Sequence, residues 1–193
     1  MTELEERRGR PRSSEVDQAI LRAAVHVLAK EGYRGMSFEA VARAAAVGRP
    51  ATYRRYRDRA DLAAAAIAAI GGDVTAPIDT GDTRADLTEF VTRISDAMPH
   101  AGIPLLGTVF AERERHPELL ARFRERVAEP RRALASALLE RGMDRGDVRG
   151  DLDVEATVDH LVGAVFARHI TGLPVAPGWA EQTVLTRWRG ISC

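Results

Sequence analysis

Apolar residues along this 193-residue chain recur at spacings of three and four, the mark of amphipathic helices. Ile20, Ala23, Ala24, Val27 and Leu28 define the first such stripe. Ser14 with Asp17 three residues on resembles a capping box at its start, and Gly32 fits a left-handed stop at its end. Ser37 is a suitable cap for a second helix with Phe38, Val41, Ala42 and Ala45 turned inward. Ala46-Val47-Gly48 interrupts it, and a short third helix is predicted over 49–56, with Pro50 in the first turn where a missing N–H costs little. Asp58 caps a fourth helix that runs through Leu62 and Ile67 to Gly71-Gly72.

A loop over 73–83 follows, and helical spacing returns in Leu87, Phe90, Val91 and Ile94 as far as Pro99. Further helices are predicted over 103–115 and from Pro117 onward, the latter carrying Leu119, Leu120, Phe123, Val127, Leu134 and Leu138 with a kink at Pro130. Residues 143–153 read as a Gly- and Asp-rich turn, 154–170 as an apolar helix and 179–189 as a final helix. No segment sustains two-residue alternation. The expected fold class is therefore all-α, with about nine helices and no sheet.

Composition narrows the class further. No apolar run approaches the roughly 18–20 residues that cross a bilayer; the best candidate, 62–70, is short and alanine-rich. The N-terminal residues are mixed charges rather than a signal peptide. A single cysteine, Cys193, supports neither a disulfide framework nor a metal cluster. These features predict a soluble cytoplasmic protein without membrane partners, bound metal or other cofactor.

The formal net charge of zero hides an asymmetry. Residues 1–60 hold 13 basic and 8 acidic residues, and the remaining residues 15 and 20. Between Arg7 and Ala60 the balance is 13 to 5, a net +8. A basic head on an acidic body predicts that the head meets a polyanion. Residues 1–13, ending in Arg7-Arg8-Gly9-Arg10-Pro11-Arg12, read as a flexible basic arm.

Residues 37–56 have the length and rhythm of a helix-turn-helix: a support helix of about eight residues, a tight turn and a second short helix. Thr52 and Tyr56 can point inward with Val41 and Val47, leaving Arg49, Ala51, Tyr53, Arg54 and Arg55 nearer the outside. Arginine can pair bidentately with guanine, tyrosine can reach a phosphate and alanine can touch a thymine methyl. Ser37 and Arg59 would flank the groove. The run from Phe38 to Leu62 resembles the N-terminal domain of the tetracycline-repressor (TetR) family. The likeness rests on Val41-Ala42, Ala45-Ala46-Val47, Tyr53, Tyr56, Arg59 and Leu62. Two positions depart from the family pattern, Ala46 for glycine and Arg59 for lysine; a left-handed alanine costs about 1 kcal/mol.

The resemblance implies a DNA-binding domain over 14–70 and a helical ligand-binding and dimerisation domain over 71–193. It gives DNA-contact roles to Ser37, Arg49, Ala51, Tyr53, Arg54, Arg55 and Arg59. It implies a homodimer through the last two long helices, with Leu161, Val162, Val165, Val184 and Trp188 as interface candidates, reading a palindromic operator in double-stranded DNA. Half-sites would lie one turn, about 34–36 Å, apart. An unknown small-molecule effector is expected among the middle helices, with Phe90, Ile94, Met98, Phe110, Phe123, Val127 and Phe166 as candidate lining, which favours an apolar ligand.

Other classes fare worse. The five histidines are scattered and none lies beside a serine or cysteine motif, and no phosphate-binding glycine loop is present. Glu112 and His116 are four apart but read as a solvated pair, and Asp144, Asp147, Asp151 and Asp153 lack the twelve-residue calcium pattern. The expected protein is a transcriptional repressor and not an enzyme. The alternative reading is a DNA-binding protein indifferent to small ligands.

Overall fold

The computed structural model describes residues 10–70 and 73–192. Residues 1–9 of the predicted arm lie outside them. The remainder of that arm is helical, because α1 spans Arg10–Gly35. Pro11 sits in its first turn, where no N–H is needed, so the helix starts upstream of the expected cap at Ser14. Gly32 takes φ 67° and ends the regular part of α1 where the sequence put the stop.

The chain then forms α2 (Phe38–Ala44), α3 (Arg49–Tyr53) and α4 (Arg59–Ala68). Later helices are α5 (Thr83–Ala97), α6 (Ile103–Glu112), α7 (Pro117–Phe123), α8 (Glu129–Arg145), α9 (Val154–Ile170) and α10 (Trp179–Trp188). Two π turns, Met98–Gly102 and Arg124–Ala128, precede α6 and α8. The second divides the long helix expected from Pro117. Pro130 has no N–H to continue an α-helical ladder, and the wider turn just before it accommodates that loss. The all-α reading holds: the described residues contain one isolated bridge, Val148 with Ser192.

Two compact units divide the chain. One comprises 1–69 and 104–127, the other 70–103 and 128–193. In the first, α4 packs on α1 and α7 while α2 packs on α1 and α3. Ile20, Ala24, Leu28, Tyr33, Val41, Leu62, Ala66, Leu105, Leu119 and Phe123 are among its buried residues. Short side chains fill much of α4, where Ala63, Ala64 and Ala66 are sealed from solvent.

One charged group lies inside this unit. Asp61, in the first turn of α4, has a side chain with no exposure. It accepts from the Arg57 backbone N–H at 3.0 Å, from Arg57 Nη2 at 3.1 Å, and from Arg126 through Nε at 2.5 Å and Nη2 at 3.0 Å. Burial acts to raise its pKa; the hydrogen bonds of Arg126 and Arg57 overcome that and hold the carboxyl well below the usual range. Arg57 also reaches Glu125 at 2.8 Å, and Arg122 bridges Glu125 and Asp58 at 3.0 Å each. Asp58 caps α4 by accepting from the Asp61 N–H at 2.7 Å.

In the second unit, α5 packs against α8, α9 and α10. Its close approach to α8 depends on Gly142, where a Cβ would stand 2.7 Å from the Thr83 methyl and 2.8 Å from Val148. The Thr83 hydroxyl donates to Asp147 at 2.8 Å and accepts from Arg145 at 2.6 Å. Asp82 and Asp153 cap α5 and α9.

Two stability changes are expected. Asp61→Asn should cost about 3 kcal/mol, because breaking a buried pair leaves guanidinium donors uncompensated; urea unfolding measures it. Because Asp61 is depressed in the folded state, its contribution is complete above the ordinary carboxylate value of about 4 and drains as pH falls below it. The wild-type protein should therefore lose stability more steeply than Asp61→Asn as the pH is lowered from about 5. Ala46, the one non-glycine residue with positive φ (53°) among the described residues, should gain a few tenths to about 1 kcal/mol on Ala46→Gly, since relief of left-handed strain outweighs added chain entropy. A thermal melt checks the sign.

Candidate nucleic-acid interface

The helix-turn-helix is assembled by short-range bonds that the sequence chemistry supplies. Ser37 caps α2, its Oγ accepting from the Ala40 N–H at 3.0 Å. The turn closes through Val47 N–H to Ala42 C=O at 3.0 Å, with Ala46 in the positive-φ position between them. Val41 and Ala42 are buried beneath it. Thr52 is fully buried and donates to the Arg49 carbonyl at 2.8 Å, so the first turns of α3 are pinned from inside. The regular helix ends at Tyr53, and hydrogen bonds from Arg54, Arg55 and Tyr56 back to Pro50 and Thr52 carry it through one more turn.

This arrangement leaves Arg49, Tyr53 and Arg54 exposed, Tyr53 at 53%, with Ala51 half-buried. Arg55 has a different engagement. Its guanidinium pairs with Asp17 of α1 and donates to the Ala51 carbonyl at 3.0 Å, so it ties the end of α3 to α1 within the same unit. Arg59 is half-buried, its guanidinium 4.1 Å over the ring of buried Tyr33. The same ring meets His116 edge-on at 4.9 Å. Arg59 is thus packed by a cation–π contact at the base of α4.

Sequence reasoning passed over Glu39. It lies in the first turn of α2 and reads as an ordinary complement to a helix start. In the folded head it accepts from the Tyr53 hydroxyl at 2.6 Å, with the Tyr53 ring lying 4.6 Å from that of Phe38. The pairing shows in both groups: the hydrogen bond from Tyr53 pulls the Glu39 pKa down, and the same bond pushes Tyr53 up.

Elsewhere the candidates are divided between the two compact units. Phe90, Ile94 and Met98 are buried on α5 and its π turn, and Phe166 is half-buried on α9, all in the second unit. Phe110, Phe123 and Val127 belong to the first; Phe123 and Val127 are buried, while Phe110 is 44% exposed with its ring 6.3 Å from that of Phe123. Of the dimer candidates, Leu161, Val165 and Val184 are at most 1% exposed, and Val162 and Trp188 are half-buried. The apolar stripe chosen on α9 is the one that packs within its own protomer, because the most apolar face of a helix is the first to be buried. The outward face carries Asp159, His160, Gly163, Ala167 and Ile170 instead. Glu112 and His116 share no site, since Glu112 pairs with Arg34 at 3.3 Å and His116 with Glu118 at 3.1 Å. Among the described residues no group of three metal-ligating side chains occurs, and no helix is long and apolar enough to cross a membrane.

Comparison with known proteins agrees with this geometry. Residues 20–66 match the family model described as bacterial regulatory proteins, tetR family, and residues 77–186 match that of the tetracyclin repressor-like C-terminal domain. The chain is 31% identical over 182 residues to a DNA-binding transcriptional repressor TetR of Mycobacteroides abscessus, covering 92% of each chain. It is 26% identical over 189 residues to the HTH-type transcriptional regulator YdeS of Bacillus subtilis, covering 97% of this chain and 96% of the relative. The crystal structure of the TetR family transcription regulator SCO0332 superposes with a TM-score of 0.69 at 30% identity, over 93% of this chain and 100% of the other. With both halves matched and the helix-turn-helix built as described, the chain belongs to the TetR family: it is a transcriptional regulator with a DNA-binding head, and not an enzyme.

Proposed function

We propose that this protein is a repressor that binds a palindromic operator as a two-fold dimer and is released by a small, mainly apolar ligand. The observation that carries the DNA reading is the outward face of α3. Arg49, Tyr53 and Arg54 stand exposed on it while Thr52 locks its inner side, in a segment of net +8. Guanidinium groups free to enter a groove about 12 Å wide suit bidentate pairing with guanine or contact with phosphate. Ser37, Ala51, Arg55 and Arg59 keep their proposed places at the edge of this surface, with Arg55 and Arg59 acting mainly as supports. The TetR repressor of Mycobacteroides abscessus supports repression as the sense of regulation.

A dimer needs a face, and the outer side of α9 supports one. Gly163, Ala167 and Ile170 succeed one another at helical spacing; a Cβ on Gly163 meets nothing within 4 Å, and Ile170 is 65% exposed. Val162 and Trp188, half-buried on α9 and α10, remain candidates beside it in the proposed interface. For the effector, Phe90, Ile94, Met98 and Phe166 are the apolar candidates of the second unit, with Ser95 and His169, hydrogen-bonded at 3.0 Å, as the adjacent polar pair. Phe110, Phe123 and Val127 are less favoured, since they belong with the head. Phe90, Ile94 and Met98 are at most 2% exposed, which equally suits a filled core. A filled core there is the basis of the second reading, a regulator indifferent to ligands.

Selection from random duplexes tests the DNA function. The wild type should enrich a palindrome with half-sites about one turn apart; Arg49→Ala and Arg54→Ala should abolish the enrichment. Arg55→Ala should instead lower the melting temperature and leave the preferred sequence unchanged. Absence of any enriched sequence for the wild type would sink specific regulation. Gly163→Arg should convert the dimer to a folded monomer by sedimentation and weaken operator binding at least tenfold, because one half-site remains. An unchanged sedimentation coefficient would remove α9 from the interface.

A further inference from the structure

Glu39 holds one hydroxyl of the outward face of α3. The Tyr53 hydroxyl donates to its carboxylate at 2.6 Å, and the ring is steadied against Phe38. Tyr53 is one of the groups proposed for the DNA, and in the free protein its one hydroxyl proton is held by this carboxylate. Glu39 is also the only acidic residue in 37–57, amid five arginines.

Counting protons makes the conflict concrete. A phenol has one proton to donate, and a phosphate oxygen only accepts. While Glu39 holds the Tyr53 proton, that hydroxyl cannot donate to a phosphate. Binding DNA through it requires the carboxylate to be displaced, and its charge then faces the phosphate backbone.

We propose that Glu39 is a built-in competitor for DNA phosphate, holding the Tyr53 hydroxyl in the free protein and lowering affinity for all DNA alike. The inference rests on the DNA-binding reading of this face and adds a residue that opposes it. Its value is in regulation. An effector typically changes affinity by about 5- to 150-fold, and a regulator held far more tightly than that would not be released.

The test is a titration of wild type, Glu39→Gln, Tyr53→Phe and the double variant against the selected operator and an unrelated duplex of equal length. Circular dichroism and a urea midpoint establish that each is folded. Glu39→Gln should tighten both complexes by a common factor of about five- to tenfold, the worth of one net hydrogen bond. In the Tyr53→Phe background that gain should shrink to about twofold, what remains being charge removal at an exposed site. Loss of operator affinity, or a changed preference at one base pair, would overturn the proposal and make Glu39 a reader of a base amino group. An equal gain in both backgrounds would overturn it too, leaving a repelling charge that does not act through Tyr53; so would no gain. Wild-type binding to the operator reports separately on the DNA-binding reading itself.

Discussion

Burying a carboxylate in an otherwise alanine-filled helix is costly unless cations and N–H donors surround it. Asp61 at the start of α4 imposes that demand, and much of the first unit is arranged to meet it. Arg126 answers with two parallel hydrogen bonds, reaching from a part of the chain 65 residues away. Arg57 answers with its backbone and its side chain, and it lies only four positions beyond Tyr53. The turn that leads out of the recognition helix is thus fixed to the same carboxylate that anchors α7 and its π turn to α4. Arg122, Glu125 and Asp58 extend the linkage into a mutually neutralising set at the surface. The chain leaving α3 is thus held in place by this one buried charge.

Where the determinants are local, the chain could be read directly. Gly32 and Ala46 adopt the positive φ that their positions implied, and Ser37 and Asp58 cap the helices they precede. The support helix, the turn and the inward Thr52 also follow from spacing alone. What sequence could not convey is which helix packs on which. Residues 104–127 were grouped with the body by their order in the chain, whereas α7 packs on α4 beneath the head. The stripe of Leu161 and Val165 was visible, but an apolar face does not say whether its own protomer or a partner covers it. Glu39 and Arg55 illustrate the same gap for the site, because their meaning comes from side chains 14 and 38 residues away.

The second unit solves a different packing problem. It brings α8 against α5 by omitting a Cβ at Gly142. Thr83 fits the vacated space and also closes a polar knot with Asp147 and Arg145. Close backbone approach and hydrogen bonding at one end thereby set the register of the helix pair, while Leu87, Phe90, Leu138 and Leu139 are buried along it.

The internal pairing of arginines has a consequence for thermodynamics in salt. DNA carries condensed cations, and each protein charge that neutralises a phosphate sets about one of them free. Arg55 is already matched by Asp17, and Arg57, Arg122 and Arg126 by Asp61, Glu125 and Asp58. Such side chains displace few ions, because their charge is spent within the fold. The number of counterions released on binding should accordingly reflect the uncommitted arginines and fall well below the total. A head so rich in arginine would then tolerate changes in salt concentration better than its composition implies.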